Sequence, residues 1–140
     1  MKVQLKYRGD QEYTSENASG NEVDIDMFAS DKKAQSPTEL LLSATVACAA
    51  VDIVSMIKKK RKTLIHFEGT AEGERREEHP RKFVKIHIGY DITSPDLGEG
   101  EAKKIVALAV EKYCSVASSL DPAIELSHGV NISRSCFTEG

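Results

Sequence analysis

The chain has 140 residues, 40% of them hydrophobic, with 19 Lys and Arg against 22 Asp and Glu for a formal net charge of −3. That length suits a single domain, 1–140, with one hydrophobic core, and the composition is ordinary for a soluble globular protein. The acidic balance argues against nucleic acid as the main partner, because phosphate binding needs a basic surface.

Met1 to Lys6 alternates apolar and polar residues, which reads as a strand and not as a signal peptide. Val3, Leu5 and Tyr7 line one face of it, and a half-buried strand is expected. Gly9-Asp10 is a turn, Gln11 to Glu16 a second strand, and Val23, Ile25 and Met27 mark a third. Residues 1–30 therefore form a β-meander.

A helix is expected over 36–60. Ser36 suits its N-cap, Pro37 its first position and Glu39 the third, which completes a capping box. Leu40, Leu41, Leu42, Val46, Val51, Ile53, Val54 and Ile57 place apolar side chains on nearly every side, so the helix must be enclosed by other elements or by a partner subunit. Ser43, Thr45, Asp52 and Ser55 interrupt the run and argue for a core helix over a membrane span. Lys58 to Lys62 is basic, as befits the negative end of a helix dipole.

A β-hairpin is next, over 63–93. Ile65, Phe67, Gly69 and Ala71 share one face of its first strand, and Val84, Ile86, Ile88, Tyr90 and Ile92 one face of its second. The connection, Glu74 to Arg81, is charged. Helices are expected over 99–120, with Cys114 to Leu120 continuing the amphipathic segment or starting a short new one. Asp121-Pro122 ends them, and a last strand over 123–134 carries Ile124, Leu126, His128, Val130 and Ile132. Strands that come in runs indicate an α+β fold.

Cys48 and Cys114 carry the chemistry. Each lies in an apolar helical segment, where a cysteine is by default a small hydrophobe. If the fold pairs them, one thiol can be oxidised and the other can close a disulfide onto it. Three cysteines without a secretion signal point to the cytoplasm. Cys136 lies in a polar stretch and is assigned no role. His66, His79, His87 and His128 are scattered, so no metal site and no cofactor is expected.

Pro37-Thr38-Glu39-Leu40-Leu41-Leu42, then Cys48, then Glu111-Lys112-Tyr113-Cys114-Ser115-Val116 resemble the OsmC/Ohr family of small hydroperoxide reductases. The stretches from Ala47 to Arg61, Glu74 to Arg81 and Glu111 to Ala117 are most similar to its YhfA-like branch. The resemblance implies an intertwined homodimer with antiparallel sheets wrapped around long central helices. It implies that Cys48 is the peroxidatic residue and Cys114 the resolving one. An organic hydroperoxide is then the substrate, and a lipoylated or thioredoxin-like dithiol protein the reductant. In the peroxidase branch a glutamate after the proline holds an arginine over the cysteine. Here Thr38 has that place and Glu39 is next, about 100° around the helix. Arg8, Arg75, Arg76 and Arg81 are candidate arginines. Asp52, one turn beyond Cys48, is a candidate to hold one of them. The alternatives are an OsmC-like protein that binds a hydrophobic or acyl ligand at the dimer interface without turnover, and a redox sensor.

Overall fold

The structure, a computed structural model, describes residues 1–134. Cys136 lies outside them. The chain forms two compact units, Met1–Leu41 and the residues from Leu42 onward.

The first unit is an antiparallel meander of β1 (Val3–Gly9), β2 (Glu12–Asn17) and β3 (Glu22–Asp26). Gly9 and Asp10 adopt positive φ (127° and 48°), which makes the first turn. The expected half-burial of β1 is not what the structure shows: among the described residues Val3, Leu5 and Tyr7 are 67%, 59% and 64% exposed. On β3, Val23 is also half exposed. Beyond β3, the buried Asp26 carboxylate accepts the Phe28 and Lys33 amide N–H groups and organises the adjoining loop, which lowers its pKa.

Helix α1 (Pro37–Lys59) begins in the first unit as the sequence predicts. Glu39 accepts the Ser36 amide N–H at 2.9 Å, and Ser36 Oγ accepts that of Glu39 at 3.4 Å. In the second unit, α1 buries a stripe at every fourth residue, Thr45, Ala49, Ile53 and Ile57. Leu42, Val46, Ala50 and Met56 flank this stripe and are partly buried against the core, whereas Val51 is 70% exposed. By length and composition α1 is able to cross a membrane, a test that core helices of soluble proteins also pass.

The second unit contains a sheet in the order β4 (His66–Arg75), β5 (Phe83–Thr93), β6 (Glu125–Ser133). β4 and β5 form the expected hairpin. Ile86, Ile88, Tyr90 and Ile92 point inward in alternation, and a register shift at Glu74/Arg75 brings Phe83 into the core in place of Val84. Against the expectation of antiparallel sheets, β6 runs parallel to β5, so this sheet is mixed. A parallel pair needs a long crossover, and the helical segment between β5 and β6 supplies it. That segment consists of α2 (Glu99–Leu108), a π-helical turn (Ala109–Tyr113) and the short α3 (Ser115–Ser118). Residues of α1, α2 and the π-turn meet the inner face of the sheet in one core cluster. The outer face carries Lys85, His87, Asp91 and Asn131 and is exposed.

Candidate active site

Cys48 sits beside the buried stripe of α1, next to Ala49, and is half-buried. A cysteine off the centre of a stripe keeps part of its thiol open while the helix stays regular. Cys114 is placed differently. The sequence predicts a helix running on through Tyr113, but α2 gives way after Leu108 to a π-turn that holds Ala109 and Val110 in the core. The turn ends at Cys114, whose backbone is extended (φ −74°, ψ 108°). Cys114 is therefore the N-cap of α3, and its Sγ accepts the Ala117 amide N–H at 3.3 Å. It is 1% exposed.

The two thiols, remote in sequence, lie close enough for Cys48 to act on the titration of Cys114, and both are free. Burial pushes the Cys114 thiol up from its ordinary value. The Ala117 and Val116 amides oppose this, while the contact with Cys48 adds to it. Cys114 is thus held as a neutral thiol next to a more accessible partner.

Tyr90 completes the immediate surroundings. It is buried, and its hydroxyl donates to the Val46 carbonyl, two residues before Cys48, at 2.7 Å. Burial raises its pKa, and the neighbouring Cys114 and Cys48 sulfurs add to this whenever they ionise, so it stays a neutral phenol. The sequence pattern marks Tyr90 as a core residue only. The signal present in the sequence is a hydroxyl on an inward strand position, which must find an acceptor. A second feature outside the sequence expectations is the contact of His128 on β6 with Glu111 in the π-turn. Its Nε2 to Oε2 distance is 2.7 Å, and it ties the turn leading to Cys114 onto the sheet.

The other candidate residues have their own local roles. Glu39 is occupied by the capping box and by Lys32 Nζ at 2.9 Å. The Ser36 amide, then Lys32, lowers its carboxyl pKa to about 2. Arg8 donates through Nε to Thr14 Oγ1 at 3.0 Å. Arg76 Nε donates to the Pro80 carbonyl at 2.7 Å and Arg81 Nε to the Arg76 carbonyl at 3.3 Å, both inside the hairpin connection. Among the described residues, Asp52 and Arg75 have no ion pair. No group of three or more His, Cys, Asp or Glu among them is placed to hold a metal ion.

The family model described as OsmC-like protein matches residues 30–129. The chain belongs to the OsmC-like family. Protein YhfA of Escherichia coli strain K12 is 36% identical over 132 residues, covering 94% of this chain and 98% of the relative. A hypothetical protein of Aquifex aeolicus superposes with a TM-score of 0.84 at 28% identity, covering 96% of this chain and 97% of that one. The organic hydroperoxide resistance protein OhrB of Bacillus subtilis shares the fold, with a TM-score of 0.62 at 18% identity, over 94% of this chain and 98% of its own.

Proposed function

We propose that this OsmC-like protein reduces organic hydroperoxides with the Cys48/Cys114 pair. The observation that carries the reading is the contact between a half-buried and a buried free thiol from distant parts of the sequence. Structural relatives named as organic hydroperoxide resistance proteins, from Bacillus subtilis and Legionella pneumophila, support it at the level of the fold.

The chemistry runs in three balanced steps. The Cys48 thiolate attacks one peroxide oxygen, the O–O bond breaks, and the leaving alkoxide takes a proton to become the alcohol. Cys48 is left as a sulfenic acid. Cys114 sulfur then attacks Cys48 Sγ. The S–S bond forms, the S–O bond breaks, and the hydroxide leaves with the Cys114 proton as water. A dithiol reductant, lipoylated or thioredoxin-like, takes over the disulfide by thiol exchange and returns both cysteines to thiols. The accessible cysteine suits the first step because a substrate must reach it. The buried one suits the second because its target is already in contact with it.

In this reading the protein acts as a homodimer in the cytoplasm. A second copy would cover the apolar sides of α1 at Val51 and the open sheet face of Val3, Leu5 and Tyr7. The test is steady-state consumption of cumene hydroperoxide with dihydrolipoamide as reductant. Many turnovers per protein, with hydrogen peroxide a poorer substrate, are expected. Absence of turnover would favour a ligand-binding protein, and a single oxidation without turnover a redox sensor.

A further inference from the structure

Tyr90 is the one residue in the inward row of β5 from Ile86 to Ile92 that carries a polar group, among Ile86, Ile88 and Ile92. A tyrosine costs the core a hydroxyl that must be satisfied. Here the acceptor is a helix carbonyl, that of Val46, which keeps a second lone pair for its own helical bond. The space for this arrangement is built in. Gly69 lies opposite Tyr90 across the β4–β5 ladder, and a Cβ there would sit 2.8 Å from Tyr90 Cε1 and 2.9 Å from Val46 Cγ2. The missing side chain lets the ring and α1 approach one another. Phe67 supports the ring from the side, with centroids 5.3 Å apart.

We infer that Tyr90 is a positioning residue for the dithiol: its hydrogen bond to Val46 fixes the turn of α1 that carries Cys48, so that Cys48 Sγ stays in contact with Cys114 Sγ. The inference rests on the Cys48/Cys114 pair being the redox centre. Its consequence is a high effective concentration of one thiol at the other, which depends on orientation and is lost steeply by small displacements. The phenol contributes as a fixed neutral donor. Burial keeps its proton on, so it does not act as an acid.

The experiment equilibrates the full-length protein with oxidised and reduced glutathione and reads the fraction of Cys48–Cys114 disulfide. In that exchange the protein loses two hydrogens, one glutathione disulfide is reduced to two thiols, and no peroxide is involved. Tyr90→Phe keeps the ring and removes only the hydroxyl. It is expected to lower the effective thiol concentration by about tenfold. Ile88→Val, which trims the same strand face without touching the tether, is the control and should change it less than about twofold. Melting curves of both variants verify folding. An unchanged effective concentration in Tyr90→Phe, or an equal fall in Ile88→Val, would overturn the proposal. A wild type that pairs its thiols with glutathione but ignores peroxide breaks the peroxidase reading alone, and the Tyr90→Phe ratio still decides the tether. A wild type that forms no disulfide with glutathione overturns the tether alone, and turnover with cumene hydroperoxide still decides the peroxidase reading.

Discussion

Cys48 and Cys114 sit in segments of opposite character. Cys48 lies in the middle of a regular 23-residue helix whose own start is closed by Ser36 and Glu39. Cys114 stands where a π-turn ends and a four-residue helix begins, and its sulfur is the cap of that helix. The first thiol is partly open, and the second is 1% exposed and pushed toward its neutral form by burial. The contrast teaches how one site could divide the two steps of the proposed reaction. A long helix anchored along a single stripe presents a sulfur without distorting its backbone. An irregular junction buries a sulfur that has only one destination. π-turns often mark functional positions for this reason: the extra residue re-aims the side chains beyond it.

The sharpest way to break the contrast is to remove each thiol in turn. After one equivalent of peroxide, Cys48→Ser should show no oxidation at this pair, a complete loss. Cys114→Ser should gain one oxygen and stop as the sulfenic acid, trapped by dimedone. Identical outcomes for the two variants would erase the division of labour. Next in size is the anchoring of the Cys48 helix. Ile53→Ala empties a fully buried position one turn beyond Ala49 and should cost about 2–5 kcal/mol in denaturant unfolding. Gly69→Ala should cost about 1–3 kcal/mol, since the added Cβ meets the Tyr90 ring and Val46.

Two smaller effects arise from charge. Because burial raises the Cys114 pKa above its ordinary value, the rate of disulfide closure in stopped flow should keep climbing beyond the pH at which an ordinary exposed thiol has ionised. A plateau at that pH would place Cys114 among ordinary exposed thiols. At the start of α1, Glu39 titrates at about 2 in the folded state against 4.5, held down chiefly by the Ser36 amide and then by Lys32. A depressed carboxyl stabilises the native state when ionised. Its contribution is full above about pH 4.5 and is lost as the pH falls through about 2. Glu39→Gln should therefore lower the denaturant midpoint slightly at pH 7 and flatten its dependence between pH 4.5 and pH 2.

Much of the frame is legible in the sequence because local chemistry determines it. The Ser36-Pro37-Glu39 box sets the start of α1, and the alternation from Ile86 to Ile92 sets the inner face of β5. The illegible features depend on partners distant in sequence. The parallel pairing of β6 with β5 comes from the crossover, and nothing in the alternation of Leu126, His128, Val130 and Ile132 encodes strand direction. The π-turn keeps Ala109 and Val110 inward by inserting a residue that helical periodicity cannot reveal. Val3, Leu5 and Tyr7 have the pattern of a covered face, yet among the described residues their side chains are largely exposed. At the site, the family resemblance singles out both cysteines. It does not reach Tyr90, whose significance lies in a backbone carbonyl of another element.

The central claim, that Cys48 and Cys114 act as one redox pair, is tested most directly by peptide mapping of the reduced protein after one equivalent of cumene hydroperoxide. The account predicts an intact mass lower by two hydrogens and a cross-linked peptide pair joining Cys48 to Cys114. An unchanged mass, or oxygen added at Cys48 with Cys114 still free, would contradict it.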